Sequence, residues 1–172
     1  MSKKVLIVVD MQKDFIDGAL GTKEAAAIID NVVKRIQEYE GEVVFTKDTH
    51  FENYLETSEG RHLPVIHCIK GTAGWELDEK IENVKSDDMK VFEKITFGST
   101  KLGEYLKTIK DLEEVELVGL CTDICVISNA LLIKAFLPEI KVVVRENCTA
   151  GVTVESHCNA IAAMKMCQIE IL

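Results

Sequence analysis

The chain is short of positive charge: 20 Lys and Arg stand against 29 Asp and Glu, a formal net charge of −9. A face that neutralises phosphates needs a basic excess, so neither nucleic acid nor an anionic membrane is expected as a partner. A small neutral or cationic ligand fits better. No apolar run approaches the length of a membrane span. The opening Met-Ser-Lys-Lys-Val-Leu-Ile-Val-Val-Asp has no small-residue cleavage site and breaks its apolar run at a carboxylate, so it reads as a first strand and a cytoplasmic location is expected. The six cysteines have no Cys-x-x-Cys spacing, which argues against a zinc ribbon or a thioredoxin-like motif. In a reducing cytosol most of them are expected as free thiols. Repeats, low-complexity tracts and linkers are missing, so residues 1–172 are expected to form one domain, large enough to build a core without disulfides or structural metal. Met11-Gln-Lys-Asp-Phe15, after the first strand, holds no glycine, which argues against a dinucleotide-binding turn and an NAD enzyme.

What is present is an alternation of strand and helix patterns. Lys4 to Val9 is a continuous Val/Leu/Ile run, the pattern of a strand buried on both faces of a parallel sheet. From Glu24 to Tyr39 the apolar positions Ala25, Ile28, Ile29, Val32, Val33 and Ile36 recur at helical spacing. Further strands are expected at 42–46, 89–93, 115–120, 141–145 and 168–172. Between them, a helix capped by Ser99 or Thr100 has Leu102, Tyr105, Leu106 and Ile109 on its apolar face. Another helix carries Ile127, Ala130, Leu131 and Ala135 and stops before Pro138, and a last one runs from a Thr153 cap through Met164. The order specifies an α/β fold: a three-layer, doubly wound, Rossmann-like domain around a six-stranded, mostly parallel sheet.

Ligands of such sheets bind at the carboxyl ends of the strands. Asp10 ends the first strand, where it can do chemistry or simply bond the following turn. Asp48-Thr-His50 ends the second and opens a long polar stretch to about Trp75 that holds three of the four histidines. With Glu59 and His67, Asp48 and His50 make a two-His, two-carboxylate set suited to Zn²⁺, Fe²⁺ or Mn²⁺, or they brace turns in a solvated loop. His62, a competing ligand, is expected to be solvated. Lys94 ends the third strand and can meet Asp10. In Val118-Gly-Leu-Cys121-Thr-Asp-Ile-Cys125-Val, a Thr-Asp pair able to cap a helix puts Cys125 in the first helical turn, where the macrodipole favours a thiolate. Cys121 and Cys125 also permit a redox-pair reading or that of two small buried hydrophobes. His157 is expected to make a structural hydrogen bond.

Together, Val-Val-Asp10-Met-Gln-Lys-Asp-Phe15, Asp48-Thr-His50, His67-Cys68 with Gly71-Thr72, Lys94 and Gly119-Leu-Cys-Thr-Asp-Ile-Cys125-Val resemble the isochorismatase-like cysteine hydrolases, and among them the nicotinamidases. The resemblance implies a triad of Asp10, Lys94 and Cys125, with Cys125 as nucleophile and Asp10 as proton carrier. It implies an oxyanion hole from the backbone N–H groups of Cys121 and Cys125, with a cis peptide between Leu120 and Cys121. It also implies one divalent metal ion, zinc first with iron or manganese possible, held by Asp48, His50, His67 and a fourth ligand. Glu59 has the spacing for that ligand, with Glu56 as runner-up. Phe15, Leu20 and Phe97 are expected to line a pocket for a flat ring, while Trp75 packs structurally. Where relatives carry a tryptophan just before the second metal histidine, this chain has Leu63-Pro-Val-Ile66. The implied reaction is hydrolysis of nicotinamide to nicotinate and ammonia, by a homo-oligomer. Two other functions stay open: hydrolysis of another small amide or carbamoyl compound, and a non-catalytic thiol or metal sensor.

Overall fold

The computed structural model describes residues 3–172. Six strands, β1 (Lys3–Val9), β2 (Glu42–Asp48), β3 (Lys90–Lys94), β4 (Leu112–Leu120), β5 (Lys141–Ala150) and β6 (Glu170–Ile171), form one sheet in the order β3-β2-β1-β4-β5-β6. Every ladder is parallel. Alternation along β1 builds two cores at once. Val5, Ile7 and Val9 face one apolar cluster, Leu6 and Val8 the other. The first cluster is closed by Leu102, Leu106, Val126, Ala130, Ile133, Ile161 and Met164, the second by Ala25, Ile28, Val32, Ile36 and Ile81. Each face is thus covered by helices, as a parallel sheet requires.

The helices, in chain order, are α1 (Lys13–Ile16), α2 (Lys23–Ala27), α3 (Ile29–Glu38), α4 (Ser58–His62), α5 (Glu79–Val84), α6 (Thr100–Lys107), α7 (Ile127–Phe136) and α8 (Val154–Met166). Side-chain caps start several of them: Thr22 accepts from Ala25 N, Ser99 from Leu102 N, and Thr153 forms a reciprocal capping box with Ser156. The single helix expected over 24–39 is two, offset at Ile28, because the apolar stripe continues across the break and conceals it. The short helix α5 was not expected; with Ile81 and Val84 alone its apolar stripe is too sparse to show a period. On α7 the buried residues are Asn129, Ala130 and Ile133, whereas Leu131 is 39 % exposed and Ala135 is exposed. That helix is apolar on nearly all sides, so spacing alone could not orient it. β5 runs five residues beyond the expected Arg145, with an irregularity where its register against β4 shifts, and β6 is shorter than expected.

The chain order reverses between β1 and its neighbours β2 and β4, which opens a crevice at the carboxyl edge. Register then decides what meets there: Asp48 pairs with Lys94, and Val9, just before Asp10, lies between Thr46 and Gly119. Gly119 has φ +111°, and a Cβ on it would overlap the Val9 carbonyl oxygen, so only glycine fits this close approach.

Candidate active site

Asp10 leaves β1 in the left-handed region, φ 47°, a conformation uncommon outside glycine. The turn buries its carboxylate completely. Thr46 Oγ1 donates to Asp10 Oδ1 at 2.7 Å, and Lys94 Nζ lies 2.6 Å from Asp10 Oδ2. The same ammonium is 3.3 Å from Cys125 Sγ and 3.4 Å from Asp48 Oδ1. Asp10, Lys94 and Cys125, from three separate strand ends, therefore form one buried array. Burial pulls the Lys94 pKa down, but Asp10, Cys125 and Asp48 outweigh it and hold it well above the usual lysine range. Burial raises the Asp10 pKa against the opposing pull of Lys94.

Burial, and then the charge of Asp10, also push the Cys125 thiol well above its usual range, with Lys94 pulling the other way. Full burial beside a carboxylate thus opposes the thiolate that a helix terminus favours. A half-charge at a helix end is a small effect beside full burial next to a carboxylate. The local structure adds a second reason. Thr122–Val126 forms a π-helical turn ahead of α7, and the Thr-Asp pair does not cap it. Thr122 Oγ1 instead bonds His157 Nδ1 at 2.8 Å, and the Asp123 carboxylate accepts from Val152 N at 3.2 and 3.3 Å. Both tie the cysteine segment to the start of α8. The peptide between Leu120 and Cys121 is cis.

Beside this array, Asp48, His50, Glu59 and His67 each offer one ligand atom, and these atoms all lie within 4.8 Å of one another. Among the described residues, Glu56 and His62 are outside this group and both are exposed. Glu59 gets there because Thr57 caps α4, accepting from Gly60 N at 3.0 Å, and so holds Glu59 in the first turn. The stretch expected to be irregular is accordingly folded into helical turns at Tyr54–Glu56, α4 and Ala73–Trp75. His67 Nδ1 bonds the Val65 carbonyl at 2.7 Å, which leaves Nε2 toward Asp48 and Glu59. Burial alone raises the Asp48 pKa, yet bonds to His50 and His67 and the Lys94 charge hold it well below the usual range. Glu59 is pushed up by burial and by Asp48. Two imidazoles and two carboxylates crowded at this density suit a divalent cation of the zinc type, and the residues fit such an ion.

A cavity of about 830 Å³ opens over both groups. Phe15, Leu20 and Phe97 line it, as do Cys121, Cys125 and the four donors. Trp75 packs instead against Lys47, whose Nζ is 3.2 Å from the ring centroid, and its Nε1 donates to Thr49 Oγ1. Two supporting residues went unnoticed in the sequence. Gln12, fully buried, donates to the carbonyls of Asp48 and Trp75 and accepts from Asp48 N at 2.7 Å, clamping the end of β2 to the turn after β1. Thr46 was hidden as a β-former in a strand, though a hydroxyl level with a strand-end carboxylate is a readable signal.

An ammonium, a carboxylate and a thiol in contact at the carboxyl edge of a doubly wound sheet define the class: a hydrolase with the parts for thiol chemistry. The chain belongs to the isochorismatase family, whose Isochorismatase domain matches residues 4–172. It is similar to the isochorismatase family protein PncA of Bacillus subtilis, 30% identical over 174 residues that cover 93% of each chain. Among solved structures it resembles the pyrazinamidase of Pyrococcus horikoshii in complex with zinc, with TM-score 0.85, 27% identity and 99% and 98% of the two chains covered. It also resembles PnC1 of L. infantum in complex with nicotinate, with TM-score 0.86, 25% identity and 99% and 92% covered.

Proposed function

We propose that the protein is a metal-assisted cysteine amidohydrolase that converts nicotinamide to nicotinate and ammonia through a thioester. The observation that carries this is the Asp10–Lys94–Cys125 array sharing one cavity with the four-donor cluster. Similarity to proteins bound to zinc and to nicotinate supports the metal and the ring.

The reaction starts from the neutral thiol. Asp10, made more basic by burial, takes the Cys125 proton as sulfur attacks the amide carbon. Lys94⁺ stays charged throughout, stabilising the forming thiolate and keeping Asp10 in place. The oxyanion is received by the N–H groups of Cys121 and Cys125; loss of one such donor typically costs about 3 kcal/mol of transition-state stabilisation. On collapse, Asp10 returns the proton to departing ammonia, then deprotonates the water that cleaves the thioester. When bound by Asp48, His50, Glu59 and His67, a divalent ion, zinc or else iron or manganese, supplies a Lewis-acid contact for the pyridine nitrogen. Phe15, Leu20 and Phe97 pack the ring. All six cysteines are free, which fits the reducing cytoplasm as the place of work.

The test is ammonia release from nicotinamide by zinc-loaded protein. Cys125→Ala is expected to abolish it, while Cys121→Ala, which keeps the backbone N–H, retains most of the rate. Full activity in Cys125→Ala would discard the thiol mechanism.

A further inference from the structure

The cavity is large for nicotinamide. At about 830 Å³ it lies in the upper part of the roughly 300–1,000 Å³ range of sites that enclose drug-sized ligands, whereas nicotinamide is a single ring with one carboxamide. Its lining also changes with depth. The four donors and Cys125 are buried or half-buried at the floor. Higher up, Phe51, Leu63, Ile95 and Phe97 line the cavity beside the polar Asn53, Ser58, His62 and Thr96, and are 52%, 38%, 73% and 41% exposed. A ring seated between the donors and Cys125 and packed on Phe97 leaves Phe51 and Ile95 in water. Exposed apolar surface continuous with a reactive floor is where a ligand's own apolar part is desolvated.

We propose, building on the amidohydrolase reading, that the preferred substrates are aromatic carboxamides larger than nicotinamide, carrying an apolar substituent on the ring that extends to Phe51 and Ile95. The carboxamide and ring edge occupy the floor as nicotinamide would, and the chemistry is unchanged: the amide C–N bond breaks, ammonia leaves, and water supplies the oxygen of the acid. The wall adds selectivity through burial alone. Even one methylene in an apolar pocket discriminates by roughly 10-fold or more, and an aryl group covers far more surface.

Ammonia release from nicotinamide and from 5-phenylnicotinamide, compared as kcat/KM with zinc-loaded protein, tests this. The expected result is at least ~10-fold in favour of the phenyl compound, with the ratio falling toward one in Phe51→Ser and in Ile95→Ser. Both replaced side chains are exposed, and a circular dichroism melt of each variant verifies folding. If nicotinamide is hydrolysed as well as or better than the phenyl compound, the inference is wrong while the amidohydrolase reading stands. A phenyl preference that neither variant reduces overturns it as well, since the wall would then not be what binds the substituent. If neither compound releases ammonia, the amidohydrolase reading fails and takes the inference with it.

Discussion

Glu116 points from β4 to the sheet face opposite the thiol and is 1% exposed, a carboxylate that could not stay buried and charged alone. Arg35 donates to it at 2.8 and 2.6 Å and Arg145 at 2.6 and 3.3 Å. Burial raises its pKa, but these two guanidinium groups win and hold it below the ordinary 4.5. A depressed folded pKa contributes stability that is present above the ordinary value and lost as pH falls through the folded one. Glu116→Gln should therefore lower the thermal midpoint most at neutral pH, with the difference from the parent protein shrinking as the pH drops below about 4.5. Melts across that range check it; a gap that stays constant would mean the carboxylate charge is not what matters. At this scale the sequence is legible where a residue type carries its chemistry alone. Asp10, Lys94 and Cys125 are examples, each marked by its place at a strand end. It was illegible where the environment sets the state. Burial beside Asp10 pushes the Cys125 thiol upward, and nothing within the Cys121–Val126 segment reports that neighbour.

Among elements, α4 shows how one turn places a donor. Five residues, Ser58–His62, are too few for a helical period, and the segment reads as loop. Its cap is nevertheless specific: Thr57 accepts from Gly60 N and sets Glu59 toward His50 and His67 at 3.6 and 3.7 Å. Thr57→Ala removes the cap, worth about 1 kcal/mol, and frees the carboxylate the cap orients. Zinc affinity measured by calorimetric titration is expected to fall ~10-fold, with Thr57→Ser close to the parent. Unchanged affinity in Thr57→Ala would show that Glu59 needs no help from the cap. Long elements with a clear polar face, such as α3 and α6, were readable for the opposite reason. α7, apolar almost all round, was recognised as a helix, but its buried face was not readable, because orientation is set by which neighbours pack on it.

For the whole molecule, both cores share the strands of one sheet, so we propose that the chain unfolds as one domain. Heating is expected to give one transition, coincident by far-ultraviolet circular dichroism and Trp75 fluorescence. Zinc at about 100 times its dissociation constant should stabilise the fold by about 2.7 kcal/mol, and EDTA should reverse that shift and suppress ammonia release. Separated transitions would refute the single domain, and a midpoint indifferent to zinc would refute the four-residue site. The sequence by itself determined the alternation of strands and helices, the doubly wound class and the residues at the strand ends, because hydrophobic period and residue chemistry are local properties. Only the tertiary structure decided the rest. It set the all-parallel order, and the register that puts Asp48 beside Lys94 and Thr46 beside Asp10. It brought Glu59 and not Glu56 into the four-donor group, and it sized the cavity. Each of these depends on groups far apart in the chain meeting in space, and such a meeting leaves no periodic trace along it.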